Sequence, residues 1–311
     1  MTIDALLATR RFAVLDGGLA TELERRGADL HDPLWSARVL LERPALIREA
    51  HLAFLRAGAD ILITSSYQAT FQELARRGLG AREAEALFRL SVDLAREACQ
   101  ELLADTEAMA GRQAPLVAAS VGPYGAFLHD GSEYRGDYGL TDRELRAFHR
   151  DRLAVLAASG ADLLALETIP SRREAEVLVD LLESAGGPPA WVSFTARDTT
   201  RISDGTPFAE CVGVLAGSRR LVAVGINCSP PGIIGPLLES AASVARRPFV
   251  VYPNSGEQYD ATSMAWSGAA ASGWIGRYLE GWVAAGARII GGCCRTSPEA
   301  IAEVRTHLRS S

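Results

Sequence analysis

Three of the five cysteines in this 311-residue chain stand just after apolar runs. Cys228 closes the segment Gly225-Ile226-Asn227-Cys228, and Cys293 and Cys294 close Gly291-Gly292-Cys293-Cys294. Thiolates are soft ligands, and three of them on one zinc ion leave the fourth tetrahedral position open for a substrate. Such a centre carries a formal charge of roughly −1, which makes it a poor Lewis acid for polarising a carbonyl or generating hydroxide. It suits an incoming thiol, whose pKa of about 8.5 falls on coordination while the resulting thiolate stays electron-rich. The fitting electrophile is a methyl group on a cationic donor, attacked in line and leaving as a neutral molecule. Plainer readings exist: Cys293-Cys294 as a vicinal disulfide, or all three as buried thiols. Cys99 and Cys211 sit within helical patterns and read as core.

Bringing Cys228 to the other two requires a fold that returns distant segments to one rim. Eight short apolar runs alternate with longer helical patterns: Phe12 to Asp16, Asp60 to Thr64, Leu116 to Ser120, Asp162 to Glu167, Trp191 to Thr195, Leu221 to Asn227, Phe249 to Tyr252 and Arg288 to Gly291. Between them lie Pro44 to Ala57, Ala81 to Leu103, Thr141 to Ala158, Ser171 to Ser184, Pro231 to Ala245 and Ser272 to Ala285. Three helices end in one phrase, AGAD, SGAD or AGAR, whose glycine suits a left-handed helix stop before the next strand. Continuous rather than alternating apolar strands belong to a parallel sheet covered by helices. The expected fold is therefore α/β, a (β/α)8 TIM barrel in one domain over residues 1–311. An open doubly wound sheet is the alternative, disfavoured by the strand count and by the lack of GxGxxG after the first strand.

A barrel builds its site at the carboxyl ends of its strands. There the sequence is small and polar: Asp16-Gly17-Gly18, Thr64 to Gln68, Ser120 to Tyr124, Glu167 to Pro170, Asn227-Cys228 and Tyr252 to Gly256. His31, His51, His129, His149 and His307 end none of the strands, which argues against a histidine-ligated hydrolase. All 32 cationic Lys or Arg positions are Arg, which excludes Schiff-base and pyridoxal-phosphate chemistry. A net charge of −6 with no basic block argues against nucleic acid or an acidic membrane surface. No leader pattern and no run of about eighteen apolar residues is present, so a cytoplasmic protein with a small-molecule partner is expected.

Together, LDGG at Leu15 to Gly18, TSSYQAT at Thr64 to Thr70, ETIP at Glu167 to Pro170 and the two cysteine segments resemble the homocysteine S-methyltransferase family over nearly the whole chain. The resemblance implies a barrel with zinc on Cys228, Cys293 and Cys294, and Asp16 and Glu167 at the ammonium of homocysteine. The backbone N–H groups of Gly17 and Gly18 are expected to take its carboxylate. Thr64, Gln68 and Asn227 extend the expected substrate-binding set. TSSYQAT and the loop Pro123 to Tyr138 resemble the branch that uses S-methylmethionine, with S-adenosylmethionine as a further donor and betaine as the alternative. Tyr67, Tyr124, Tyr134 and Trp266 are available to face a sulfonium. The cobalamin and folate domains of the larger methionine synthases need several hundred more residues and are expected to be absent. Selenohomocysteine is an alternative acceptor, and a noncatalytic zinc or thiol-binding barrel, or a redox protein using Cys293-Cys294, is the alternative class.

Overall fold

The computed structural model describes residues 1–30, 36–260, 265–267 and 273–310. Eight strands form one parallel sheet: β1 Ala13–Val14, β2 Ile61–Ile63, β3 Leu116–Val121, β4 Leu163–Ile169, β5 Ala190–Phe194, β6 Leu221–Asn227, β7 Phe249–Tyr252 and β8 Ala287–Ile290. Each pairs with its sequence neighbour, and β8 returns to pair with β1. The ring closes between β1 and β2 through a parallel bridge from Leu15 to Ile61, with Asp60 N–H donating to Val14 O at 2.7 Å and Asp16 N–H to Ile61 O at 3.1 Å. The expected barrel is present, with every strand within two residues of its sequence bounds. A short antiparallel hairpin, Gln258–Asp260 with Ala265–Ser267, follows β7.

Apolar residues on both faces of each strand divide by the two-residue period of the pleat. One set fills the lumen: Ala13, Leu15, Ile61, Leu116, Ala118, Leu163, Ala165, Trp191, Ala223, Val250, Tyr252 and Ile289, with Ile3 and Leu6 of the first helix, Ile3–Thr9. The alternate set, among it Val14, Leu62, Val117, Leu164, Leu166, Val192, Phe194, Val224, Ile226, Val251 and Ile290, packs against the surrounding helices. The core helices match expectation, except that Pro231–Ala241 stops four residues early. The helix before β8 spans Trp274–Ala284, and the first residue expected in it, Ser272, lies outside the described residues.

The repeated GAD phrase has one structural meaning. Gly58, Gly160 and Gly286 all take positive φ, at 113°, 84° and 107°. The aspartate that follows then accepts a hydrogen bond from the neighbouring strand: Asp60 from Val14 N–H at 3.1 Å and Asp162 from Val117 N–H at 2.8 Å. These bonds pin strand starts, so they fix the height at which each strand ends on the opposite rim. Among the described residues, no helix is long and apolar enough to cross a membrane.

Candidate active site

The pleat decides which polar side chains crown the lumen. Counting in twos from the lumen residues of β3, β4, β5 and β6 reaches Ser120, Glu167, Ser193 and Asn227, all buried. Glu167 accepts a hydrogen bond from Ser120 Oγ. Tyr252 bonds Ser193 Oγ at 2.5 Å and accepts from Trp191 Nε1 at 3.0 Å. Burial pushes the Glu167 carboxyl up to about 7, against the Ser120 and Tyr252 hydroxyls, which pull it down.

Strand β4 carries a bulge, because Leu166 pairs with Val192 but Ile169 with Phe194. Thr168 is thereby left at φ 60°. Asn227 holds it there: Thr168 N–H donates to Asn227 Oδ1 at 2.8 Å, and Asn227 Nδ2 donates to Thr168 Oγ1 at 2.8 Å. Both polar ends of Asn227 are thus spent on Thr168. Asn227, expected at the substrate, here braces the residue beside Glu167.

Cys228 follows at φ 47°, its N–H donating to Tyr252 O at 3.1 Å. The opposing segment is drawn in by glycines. A Cβ on Gly225 would lie 1.7 Å from Val250 O, one on Gly291 2.5 Å from Leu15 Cβ, and one on Gly292 2.2 Å from Thr296 Cγ2. Gly291 and Gly292 do not take positive φ, so they are there for close approach rather than for backbone freedom. Cys293 N–H donates to Pro253 O at 2.7 Å, and Cys294 O accepts from Ser255 N–H at 3.1 Å. Arg295 then turns the chain at φ 63°, its N–H donating to Thr21 Oγ1 at 3.0 Å. Left-handed non-glycine residues cost free energy, and three of the four among the described residues, Thr168, Cys228 and Arg295, occur here.

The three sulfurs converge. Cys228 Sγ lies 3.8 Å from Cys294 Sγ, Cys293 Sγ lies 4.0 Å from Cys294 Sγ, and all three lie within 4.8 Å of one another. A tetrahedral zinc with bonds of about 2.3 Å needs ligand sulfurs about 3.8 Å apart, so this donor set fits one ion without rearrangement of the backbone. Hydrogen bonds with Cys293, Cys294, Tyr134 and Asn254 push the Cys228 thiol below the ordinary thiol range against burial. Tyr134 OH stands 3.1 Å from Cys228 Sγ. Cys99 and Cys211 are buried in helices, where burial pushes the Cys99 thiol up to about 12.

The other expected site residues divide. Asp16 is buried, with Oδ2 accepting from Ile63 N–H at 2.8 Å and Oδ1 left without a partner; burial, then Glu167, raises its carboxyl well above the usual range. Gln68 Oε1 is likewise buried without a partner. Thr64 Oγ1 is committed to Ser66 Oγ at 2.8 Å and to Ser120 N–H at 3.1 Å, so it braces the rim. Gly18 N–H, expected at the substrate carboxylate, donates to Thr296 O at 2.9 Å in this structure. Gly17 and Gly18 instead admit the cysteine-bearing turn, since a Cβ on either would lie 2.6 Å from the carbonyl of Thr296 or Cys293. Tyr124 is used in packing, edge-on to Tyr138 at 5.4 Å and to Phe148 at 4.9 Å. Tyr67 and Tyr134 both feel the Cys228 charge. His31 and the Trp266 side chain lie outside what is described. Ser120, Tyr252 and Asn254 fall in the rim segments expected from the sequence, where they carry no role of their own; Ser193 follows from strand phase, and no local signal marks Glu133.

A parallel barrel whose carboxyl-end rim gathers three thiols around one ion-sized space, flanked by two buried carboxylates, belongs as a class to barrels with a thiol-lined metal centre. Residues 13–308 match the family model described as homocysteine S-methyltransferase. The homocysteine S-methyltransferase YbgG of Bacillus subtilis is 49% identical, over 99% of this chain and 98% of its own length. The homocysteine S-methyltransferase of Escherichia coli is 50% identical, over 97% of this chain and 96% of its own. The crystal structure of the metallated form of the Escherichia coli homocysteine methyltransferase MmuM superposes with a TM-score of 0.87 at 48% identity, covering 97% of this chain and 98% of that one. The chain belongs to the homocysteine S-methyltransferase family, and it is an enzyme of that activity.

Proposed function

We propose that the enzyme, a single barrel over residues 1–311, holds zinc on Cys228, Cys293 and Cys294 and methylates homocysteine from S-methylmethionine in a reducing cytoplasm. The observation that carries this reading is the sulfur triangle, with edges of 3.8 and 4.0 Å that match one tetrahedral ion. The Escherichia coli relative has a metallated form, which supports metal binding here. Zinc bound there would keep the homocysteine thiol deprotonated at neutral pH.

The chain's own residues orient the reactants. Asp16, with its unpartnered Oδ1, and Glu167, fixed by Ser120, receive the ammonium of homocysteine. Tyr67 and Tyr134 offer aromatic faces to a sulfonium beside Cys228. The homocysteine sulfur forms a bond to the methyl carbon as the bond from that carbon to the donor sulfur breaks. The electron pair leaves with the donor sulfur as a neutral thioether, and the thiol proton passes to solvent. With S-methylmethionine both products are methionine; S-adenosylmethionine is a second donor of the same charge type.

Metal analysis of protein purified under reducing conditions, followed by methionine formation with homocysteine and each of S-methylmethionine, S-adenosylmethionine and betaine, tests the reading. About one zinc per chain with turnover of the sulfonium donors is expected. Turnover with betaine alone would replace the donor, and metal-free protein that stays inactive when zinc is returned would overturn the zinc assignment.

A further inference from the structure

The loop between β3 and the helix Asp142–Ala157 carries a short 3-10 turn, Ser132–Tyr134, that the proposed reaction uses only at Tyr134. Its middle residue is acidic and firmly placed. Glu133 O accepts from Thr195 Oγ1 at 3.0 Å, and Thr195 Oγ1 in turn accepts from Ser203 Oγ at 2.8 Å. A Cβ on Gly125 would lie 2.4 Å from Glu133 N, so this turn is pressed against the start of the same loop. The half-buried side chain ends in an Oε2 that is fully covered and has no hydrogen-bond partner.

Among the described residues no Arg forms an ion pair with that carboxylate, and Arg135 acts on it only at a distance. Nor, among these residues, does Asp16 or Glu167 pair with Arg, and Arg135 is exposed and pairs with Asp130 at 3.4 Å and Asp137 at 3.7 Å. A covered carboxylate oxygen without a partner is costly, and it is retained where a cation arrives with the ligand. The acidic groups also fall into two sets. Asp16 and Glu167 stand at the strand ends, tied to Ile63 N–H and Ser120 Oγ, whereas Glu133 comes from the loop that lies over Thr195 at the end of β5. Two anionic spots thus flank the thiols, and two amino-acid substrates each bring an ammonium group.

We propose that Glu133 binds the α-ammonium group of the methyl donor and so selects α-amino sulfonium donors over sulfonium or quaternary ammonium donors that lack N–H groups. The inference rests on the methylation of homocysteine by a sulfonium. It assigns the two ammonium groups to different carboxylates: the acceptor's to Asp16 and Glu167, the donor's to Glu133.

The test uses the full-length zinc-loaded enzyme with saturating homocysteine and two donors, S-methylmethionine and dimethylsulfoniopropionate, which keeps the sulfonium and carboxylate but lacks the ammonium. The wild type is expected to favour S-methylmethionine in kcat/KM, and Glu133→Gln to lose about 10- to 100-fold with that donor. The same variant should change by less than about twofold with dimethylsulfoniopropionate, and calorimetric binding of S-methylmethionine should weaken in parallel. Zinc content and the KM for homocysteine stay unchanged. A wild type that treats the two donors alike, or a variant that loses both equally or weakens homocysteine instead, overturns the assignment while homocysteine methylation stands. A wild type that turns over neither sulfonium overturns the donor reading and this inference with it.

Discussion

Replacing Asn227 by alanine removes the side chain that braces Thr168, and through it should disturb homocysteine binding. Asn227 is fully buried and makes two hydrogen bonds of 2.8 Å to Thr168. Each bond contributes about 1 kcal/mol net, and orphaning the buried Thr168 N–H costs roughly 1–3 kcal/mol more, for a loss of about 3–5 kcal/mol. Thr168 at φ 60° also holds about 1–2 kcal/mol of strain that the bonds offset. Once they are gone the bulge relaxes, and Glu167 moves with it. Urea unfolding would report the stability, and calorimetry with homocysteine on zinc-loaded protein would report the site, where a loss of about tenfold is expected. Thr168→Gly supplies the control, because glycine takes positive φ without strain. Glycine also lacks Oγ1, so in that background Asn227→Ala breaks one bond instead of two and should cost about 1 kcal/mol less than in the wild type. Additive costs within about 0.5 kcal/mol, or unchanged homocysteine affinity in Asn227→Ala, would refute the bracing role.

Cys228→Ala, Cys293→Ala and Cys294→Ala should each lose zinc and turnover, whereas Cys99→Ala keeps both at a stability cost of about 1 kcal/mol; metal analysis beside initial rates separates them. Glu167→Ala should keep its zinc while homocysteine binding weakens by roughly 10- to 100-fold, and loss of the metal would show that Glu167 is structural instead. His51 is buried, its two ring nitrogens have no partner, and burial lowers its pKa from 6.5 to about 4. The unfolded chain therefore binds the extra proton first as pH falls, so stability declines from about pH 6.5 and levels off near pH 4. About 2 kcal/mol should be lost between pH 7 and pH 5, and His51→Leu should remove that part of the slope in urea midpoints. An unchanged slope would mean that His51 is protonated in the fold.

The strands were legible because a parallel barrel buries both faces of each one, leaving uninterrupted apolar runs between helical patterns. Leu221–Asn227 and Phe249–Tyr252 coincide with their sequence bounds for this reason. The thiol cluster was legible because both cysteine segments end strands on the same rim. What sequence spacing does not carry is strand phase at the bulge. Glu167 and Thr168 are adjacent polar residues, and only the lumen register of Leu163 and Ala165 shows which of them faces inward. Asn227 and Thr64 look like substrate ligands by position, and sequence gives no sign of the bonds they make to Thr168, Ser66 and Ser120. The glycines of DGG and GGCC follow the same lesson, since their lack of a Cβ serves the approach of two backbone segments. Glu133 comes from a loop turn that has no periodicity to read.

The central claim is that the three cysteines hold zinc and leave one position for the sulfur of homocysteine. X-ray absorption at the zinc edge, on protein as purified and after homocysteine is added, tests it most directly. The account predicts three sulfur neighbours per zinc before addition and four after it. A sulfur count that homocysteine does not change, or zinc bound through nitrogen and oxygen alone, would contradict it.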